Sequence, residues 1–239
     1  MNLDEFSKKF RDLLSETKIN LNDNQIEKFY RYMILIQEWN EKINLTAILE
    51  PKEMIIKHFI DSLTISNNIK KGSKIIDVGT GAGFPGIPLK IYDDTIKITL
   101  LDSLNKRTIF LKEVIEQLNL DDVEIIHGRA EDFAHDQEYR EKYDIAVSRA
   151  VAPLNILLEY LVPYIKIGGS VIAMKGNNAL EEISNSKNAM IKLKSSIVEN
   201  KQIQLPENSG ERYIIMVRKN ERTGNGYPRK AGIPKKNPL

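Results

Sequence analysis

The hydrophobic and polar positions divide the chain into a helical first part and a longer part in which strands and helices alternate. Up to about residue 70, apolar residues recur every three or four positions, as they do along amphipathic helices. Beyond that point, short runs rich in β-branched residues alternate with helical patterns, which is typical of parallel strands joined by crossover helices. The pattern therefore predicts an α/β protein with an N-terminal helical extension.

Three helices are predicted in the first part of the chain. The apolar residues between Leu3 and Leu14 fall on one helical face. Asn22 can cap a second helix, and Pro51 can start a third. Because the second helix is apolar over a wide arc, we expect it to pack on the main domain. Three residues of this part could either line a substrate pocket or belong to the core: Trp39, His58 and Asp61.

One stretch, from Lys74 to Gly86, organises the second part. Its three apolar residues surround Asp77 in a pattern typical of a buried strand, and a glycine-dense turn follows. Glycines directly after a strand let the backbone turn sharply and approach a ligand closely. Pro85 and Pro88 fit the first turn of a helix. The stretch therefore predicts a strand, a glycine turn and a helix, which together form the entry unit of a nucleotide-type cofactor site.

Two classes of cofactor fit this glycine turn. Gly81, Gly83 and Gly86 satisfy the G-x-G-x-x-G spacing of dinucleotide sites, but Pro85 interrupts it. Counted from the strand end, residues 77–83 read Asp-Val-Gly-Thr-Gly-Ala-Gly, which resembles the first motif of class I S-adenosylmethionine methyltransferases. The register favours a methyl donor over a nicotinamide, and both remain open at this point.

Asp102 ends the second predicted strand and lies about 20 residues past the glycine turn. In nucleotide-binding α/β folds, an acid at this spacing accepts hydrogen bonds from ribose hydroxyls. Alternatively, Asp102 or Ser103 could cap the helix that follows. The spacing to the glycine turn favours the ligand.

Charged residues also follow later strands. The fourth predicted strand, residues 143–148, is followed by Arg149, and the fifth, residues 170–174, by Lys175. Ligands of open α/β sheets bind outside the carboxyl ends of the strands, so both bases are expected near the cleft. Lys175 could instead be a solvated lysine. Glu131, after the third strand, is expected near an adenine ring, or it only adds negative charge to the first turn of a helix.

The end of the chain predicts a hairpin and a basic tail. Residues 197–205 and 212–219 read as antiparallel strands at the sheet edge, which completes a seven-stranded, mostly parallel sheet. From Lys219 onward, six bases and one acid give a charge of about +5, and about −3 remains for the rest. Such a tail either meets a polyanion or only solubilises the protein, and we expect it to be mobile until it meets the body or a partner. The predicted divisions are a helical extension, 1–70, a core, 71–219, and the tail, 220–239.

Composition narrows the class of protein. The 239 residues include no cysteine, which excludes disulfides, thiolate zinc sites and a cysteine nucleophile. No apolar run approaches the roughly 18 residues of a membrane span, and the first residues lack the pattern of a signal peptide. We expect a cytoplasmic monomer that uses no metal and no membrane.

Taken together, these motifs resemble the RsmG (GidB) family, the 16S ribosomal RNA guanine-N7 methyltransferases. The resemblance implies a class I methyltransferase fold with a Rossmann-like sheet, S-adenosylmethionine as cofactor, and 16S ribosomal RNA or the small ribosomal subunit as partner. It is carried by Trp39-Asn40, Asn44-Leu45-Thr46, His58, Asp61-Ser62-Leu63, Asp77 to Pro88, Leu101-Asp102-Ser103, Lys106-Arg107, Gly128 to Glu131, Ser148 to Ala152, Lys175-Gly176 and Tyr227 to Lys230.

Site residues follow from the resemblance and from the strand ends. The resemblance implies cofactor contacts by Gly79, Phe84, Ala130, Glu131 and Arg149, to which the motif adds Gly81 and the ribose argument adds Asp102. Candidates for holding the nucleotide during catalysis are Arg149, Lys175 and Arg212. Candidates for RNA binding are Arg129, Lys175, Arg212, Arg229 and Lys230.

Three other functions remain as alternatives. A methyltransferase acting on a small molecule would share the fold, but the basic tail favours RNA. A nicotinamide-dependent oxidoreductase would use the same glycine turn. A non-catalytic RNA-binding or ribosome-assembly factor would keep the fold without the reaction.

Overall fold

Seven strands form one sheet in the order β3-β2-β1-β4-β5-β7-β6. The computed structural model describes residues 1–149 and 151–239; Ala150, part of the motif from Ser148 to Ala152, lies outside them. The strands are β1 Lys74–Val78, β2 Lys97–Asp102, β3 Val123–His127, β4 Tyr143–Arg149, β5 Ile165–Lys175, β6 Ser195–Gln204 and β7 Glu211–Lys219. The longer helices are Leu3–Leu14, Asp23–Asn40, Gly86–Tyr92, Asn105–Leu118 and Leu154–Leu161. Other helical segments, of up to seven residues, are Pro51–Met54, Ile55–Ile60, Asp61–Leu63, Ser66–Asn68, Ala130–Phe133, Val162–Tyr164, Ala179–Asn185, Lys187–Lys192, Pro206–Asn208 and Ile233–Lys236.

The predicted α/β sheet is confirmed, including its antiparallel end. Strands β1 to β5 pair in parallel, and β7 lies antiparallel between β5 and β6. β1 contacts β2 on one side and β4 on the other, so the strand order reverses beside β1. Open sheets bind ligands at such a reversal, outside the carboxyl ends of the strands. Val78, Asp102 and Arg149, the last residues of β1, β2 and β4, therefore border one crevice.

The N-terminal helices share a hydrophobic core with the sheet. The helix Asp23–Asn40 begins at the predicted cap, because the Asn22 side chain accepts a hydrogen bond from the amide of Gln25, whose side chain binds back to Asn22. From this helix, Tyr32 donates a hydrogen bond to the carbonyl of Ala82 in the glycine turn. The helix thus packs on the main domain, as its wide apolar arc indicates, and supports the glycine turn from one side.

The third helical stretch has a wide turn in its middle. Residues 55–60 are π-helical between two short α-helical pieces, and π-helical turns are frequent at functional sites. His58 and Asp61 lie in and just after this turn, and both are buried. The turn therefore places two polar side chains on the inner side of an otherwise apolar segment.

Two elements differ from the sequence prediction. β5 begins at Ile165 rather than Ser170. Gly168 and Gly169 do not end the strand, because the register of pairing with β4 shifts at this point, between Tyr143 and Ile145. The sequence over residues 178–194 has the pattern of one helix, but the structure has two short helices that meet at Ser186, whose hydroxyl donates to the carbonyl of Glu182.

The tail packs against the body, which is one of the two contacts that we expected to end its mobility. Arg140 donates hydrogen bonds to carbonyls of Thr223, Gly224 and Tyr227. Arg229 forms an ion pair of 2.7 Å with Glu159, and its backbone amide donates to the same carboxylate. Glu159 is fully buried, so this pair fixes the tail to the helix Leu154–Leu161. In the part of the chain described here, no helix has the length and apolar character needed to cross a membrane.

We expect Arg229→Met to lower the free energy of unfolding by about 3 kcal/mol, because it leaves a buried carboxylate without its partner. Urea unfolding at neutral pH measures this change. The control is Lys230→Met, which removes an exposed charge from the next residue and is expected to change stability by less than about 0.5 kcal/mol. Equal stability of the two variants would contradict a structural role for the Arg229 pair.

Candidate active site

The glycine turn is held from below by Asp77, which lies in β1 and is fully buried. Its Oδ2 atom accepts hydrogen bonds from the hydroxyl of Thr80, at 2.7 Å, and from the amide of Gly86, at 2.9 Å. A Cβ atom at position 86 would overlap with Leu100 and lie 2.9 Å from the Asp77 carboxylate. Only glycine therefore lets the backbone come close enough to make this bond.

The second oxygen of Asp77, Oδ1, is buried and has no hydrogen-bond partner within the described residues. Burial disfavours the charged form, and it raises the pKa of Asp77 to about 7, while the hydrogen bonds from Thr80 and Gly86 act in the opposite direction. The carboxyl group therefore keeps its proton to a much higher pH than an exposed aspartate does, in a position directly beneath the turn.

Asp102 ties the end of β2 to the same turn. Its Oδ2 atom accepts a hydrogen bond of 2.8 Å from the amide of Gly81, and its Oδ1 atom accepts one of 2.9 Å from the amide of Leu104. Arg107 lies 3.4 Å from the carboxylate. Leu104 precedes the helix Asn105–Leu118, and no side chain caps that helix, so Asp102 fixes the turn rather than the helix start.

A pocket of about 460 Å³ lies at the carboxyl ends of β1, β2 and β4. It brings together five predicted cofactor residues, namely Gly79, Gly81, Phe84, Asp102 and Arg149. The lining also includes Leu45, Thr46, His58, Thr80, Ala82, Ser103, Arg107 and Val151. The crevice predicted from the strand ends is therefore present as one continuous site.

Two predicted cofactor residues lie outside this lining. Ala130 and Glu131 begin the short helix after β3, and both are buried. The carboxylate of Glu131 accepts a hydrogen bond of 3.1 Å from the amide of Gly232 in the tail. The carbonyl of Ala130 accepts one of 2.7 Å from the hydroxyl of Tyr164. The Glu131 side chain is thus bound to protein rather than directed into the pocket.

Arg149 is the central cation of the pocket. One of its terminal nitrogens, Nη1, donates to Asp61, at 3.1 Å, and to the carbonyl of Lys57, at 3.0 Å. The other, Nη2, lies 3.3 Å from Nδ1 of His58. The guanidinium carbon is 4.7 Å from the ring centre of Phe84, within the range of a cation–π contact. Arg149 is therefore held in place by four neighbours before any ligand binds.

His58 stacks on the ring of Phe84, with ring centres 4.5 Å apart and an angle of 22° between the planes. Burial, and to a smaller extent the nearby charge of Arg149, lower the pKa of His58 to about 3. The imidazole is therefore neutral at physiological pH, and it adds no charge to the pocket.

Asp61 carries two arginines at once. Its Oδ1 atom accepts a hydrogen bond of 3.1 Å from Nε of Arg212, and its Oδ2 atom accepts one from Arg149. Asp61 is only 2% exposed, so this arrangement neutralises a buried carboxylate with two cations that are 15% and 25% exposed. From the sequence, Asp61 could belong either to a pocket or to the core. A lone acid on the apolar face of a helix could have predicted a buried ion pair, because a buried charge needs a partner.

The remaining predicted bases are spread over the surface and the core. Lys175 is buried, and its ammonium group binds Glu182, at 2.8 Å, and the carbonyl of Ala152. Lys175 is not among the residues that line the pocket. The alternative of a solvated lysine is wrong, because Lys175 is buried and paired with Glu182. Arg129 and Lys230 are exposed.

A family model and two similar proteins all carry the name of the same family of rRNA methyltransferases. A family model described as GidB, rRNA small subunit methyltransferase G, matches residues 25–209. A ribosomal RNA small subunit methyltransferase G from Acetivibrio thermocellus is 52% identical over 242 residues, covering 99% of this chain and 100% of that protein. A protein of the same name from Alkaliphilus metalliredigens is 48% identical over 231 residues, covering 96% and 97%.

Solved structures show the same fold at low identity. An O-methyltransferase from Bacillus cereus, in complex with SAH, is similar with a TM-score of 0.57 at 18% identity, covering 91% of this chain and 100% of that one. TYW2 from M. jannaschii, in complex with AdoMet, has a TM-score of 0.53 at 17% identity, covering 68% and 75%. The predicted class I methyltransferase fold is therefore confirmed.

We expect the Asp77→Asn variant to gain stability relative to the wild type as the pH rises from about 4 to about 7, by up to about 1.4 kcal/mol per pH unit. The unfolded aspartate ionises near its ordinary pKa of 3.8, whereas folded Asp77 keeps its proton up to about 7. Between these values the unfolded state releases the proton first, so the folded wild type loses stability. Asparagine cannot ionise, and its oxygen can still accept from Thr80 and Gly86.

Urea unfolding of the cofactor-free protein at several pH values measures this difference. Asp121→Asn, which changes an exposed acid, is the control and should run parallel to the wild type. A constant offset between Asp77→Asn and the wild type across this pH range would contradict the raised pKa.

Proposed function

This chain belongs to the rRNA small subunit methyltransferase G family and is an S-adenosylmethionine-dependent methyltransferase, and we propose that it methylates N7 of a guanine in small-subunit (16S) ribosomal RNA. The observation that carries the proposal is the family match over nearly the whole chain. With it, the resemblance seen in the sequence and the methyl donor are confirmed, and the nicotinamide alternative is set aside.

The residues at the glycine turn fit the cofactor. Gly81 has no protein atom within 4 Å of the position of a Cβ, so its backbone leaves open space on the pocket side. Phe84 offers an apolar wall for a methionyl arm, and the free lone pairs of Asp102 can accept ribose hydroxyls. The buried, unpartnered oxygen of Asp77 lies below the turn. When bound, S-adenosylmethionine supplies an electrophilic methyl group on a sulfonium.

The acceptor atom explains why the pocket contains no convincing base. Guanine N7 carries a free lone pair and no proton, so the reaction at N7 removes no proton from the base. His58, the only histidine of the pocket lining described here, is neutral and already hydrogen-bonded. Catalysis then rests on placing N7 in line with the methyl group, and such positioning can contribute up to about 7–11 kcal/mol.

Arg149 and Arg212 are the groups that we propose to hold the nucleotide. A guanidinium has five N–H donors. Arg149 uses three of them on Lys57, Asp61 and His58, which leaves two for a phosphate or a base oxygen. Because Asp61 offsets one of the two charges, the pair presents a net charge of about +1 rather than two opposing cations at the reacting purine.

The exposed bases supply the longer-range attraction for RNA. Arg129 and Lys230 are exposed, as are Arg222, Lys235 and Lys236 of the tail. Each phosphate contact adds to the salt dependence of binding. Arg229 and Lys175 are less suited to this role, because Glu159 and Glu182 already neutralise them.

The test is transfer of labelled methyl from S-adenosylmethionine to small-subunit RNA and to assembled small subunits, followed by nuclease mapping of the modified base. We expect one methylated guanine, carrying the label at N7. Arg149→Ala should lower the turnover by at least about tenfold, since it removes a fixed donor and a wall of the pocket. Label on a metabolite but not on RNA would favour the small-molecule alternative, and no transfer to either would favour a non-catalytic factor.

We also expect the rate at saturating cofactor and RNA to vary by less than about threefold between about pH 6 and pH 9, because no base has to ionise for attack by N7. A stopped-time assay with labelled methyl at constant ionic strength measures the profile. A rate that rises tenfold per pH unit in this range, in Asp77→Asn as well as in the wild type, would show an ionising base other than Asp77 and contradict reaction at N7.

A further inference from the structure

The hydroxyl oxygen of Thr46 lies within hydrogen-bond distance of two nitrogen atoms. Its Oγ1 atom lies 2.8 Å from Nε2 of His58 and 3.0 Å from the backbone nitrogen of Ile48. A hydroxyl has two lone pairs and one hydrogen. If both neighbours donate, the hydrogen of Thr46 can only be given to a third group.

Arg149 determines that His58 is such a donor. A guanidinium is always protonated and has no acceptor, so the contact of 3.3 Å between Nη2 of Arg149 and Nδ1 of His58 requires Nδ1 to accept. The imidazole is neutral, because burial and the charge of Arg149 lower its pKa to about 3, against the opposite effect of the Lys57 carbonyl, which accepts from Nη1 of Arg149. Its one hydrogen is therefore on Nε2, which faces Thr46.

The loop that carries Thr46 is fixed, and it faces the pocket. The side-chain oxygen of Asn40 accepts hydrogen bonds from the amides of Leu45 and Thr46, at 2.8 and 2.9 Å. Thr46 lines the pocket together with Phe84 and Arg149. Within residues 1–149 and 151–239, no protein oxygen accepts a hydrogen bond from its hydroxyl. The pocket therefore holds a preoriented donor that no described protein oxygen accepts from and that a bound ligand can use.

We propose that Thr46 donates this hydrogen bond to O6 of the acceptor guanine and so selects guanine over adenine, an inference that rests on the proposed function. Guanine presents O6 beside N7, whereas adenine presents an amino group there. A donor aimed at N7 would occupy the lone pair that has to attack the methyl group, but a donor at O6 leaves it free. Adenine would place its amino donors against a hydroxyl with no free lone pair, and sites built around a hydrogen bond reject such analogues strongly.

The first test compares Thr46→Val and Thr46→Ser in labelled-methyl transfer to small-subunit RNA. Valine keeps the shape of threonine without the hydroxyl, and serine keeps the hydroxyl. We expect Thr46→Val to lower kcat/KM by about 10- to 100-fold and Thr46→Ser to stay within about threefold of the wild type. The affinity for S-adenosylmethionine, measured by calorimetry, should be unchanged in both.

Equal activity of Thr46→Val and the wild type, or equal losses in the two variants, would overturn the proposal. So would a Thr46→Val variant whose cofactor affinity falls in step with its activity, since the hydroxyl would then serve the cofactor. If the wild type itself transfers no methyl to RNA, the proposed function fails and this inference with it. An active wild type with an equally active Thr46→Val overturns this inference alone.

A second test changes the substrate and does not depend on how a variant folds. Small-subunit RNA is ligated to carry 2-aminopurine at the mapped position, because this base keeps N7 and lacks O6. We expect the wild type to lose about 10- to 100-fold in kcat/KM on this RNA. Equal rates on guanine and 2-aminopurine would overturn the proposal.

Discussion

The glycine turn keeps its shape because two carboxylates, Asp77 and Asp102, hold it against the ends of neighbouring strands. Both are buried, and a buried carboxylate is unfavourable unless hydrogen-bond donors surround it. The amides of Gly81 and Gly86 supply those donors, so strand ends and turn stabilise each other. A pocket built in this way is formed in advance, and binding has little backbone to reorganise.

Around this turn, the charged groups are arranged so that each ion is partly neutralised. Asp61 divides its charge between Arg149 and Arg212, and burial, together with the charge of Arg149, lowers the pKa of His58 and keeps it neutral. The result is a pocket with few mobile charges and several fixed hydrogen-bond donors. Such an arrangement suits a reaction in which positive charge moves from a sulfonium to a purine, because additional cations beside the purine would oppose that movement.

The sheet and the turn could be predicted from the sequence because both depend on local patterns. Strands such as Lys74–Val78 and Val123–His127 have compact apolar runs, and a cluster of glycines directly after a strand indicates a tight turn. The confirmed family resemblance includes Thr46, His58 and Asp61 but gives them no roles, since their partners come from residues far away in the chain. Asp61, for example, meets Arg149 and Arg212 at separations of 88 and 151 residues. The roles of all these residues in binding and catalysis stay predictions.

The contacts of the tail could not be predicted from the sequence for the same reason. Arg229 contributes to the charge of about +5, but its partner Glu159 precedes it by 70 residues and lies in the helix Leu154–Leu161. During synthesis, Glu159 leaves the exit tunnel well before Arg229, and chains fold from the N-terminus as they emerge. Glu159 in the helix Leu154–Leu161 therefore has no counterion until Arg229 has also emerged, so the tail is fixed to the body late in folding.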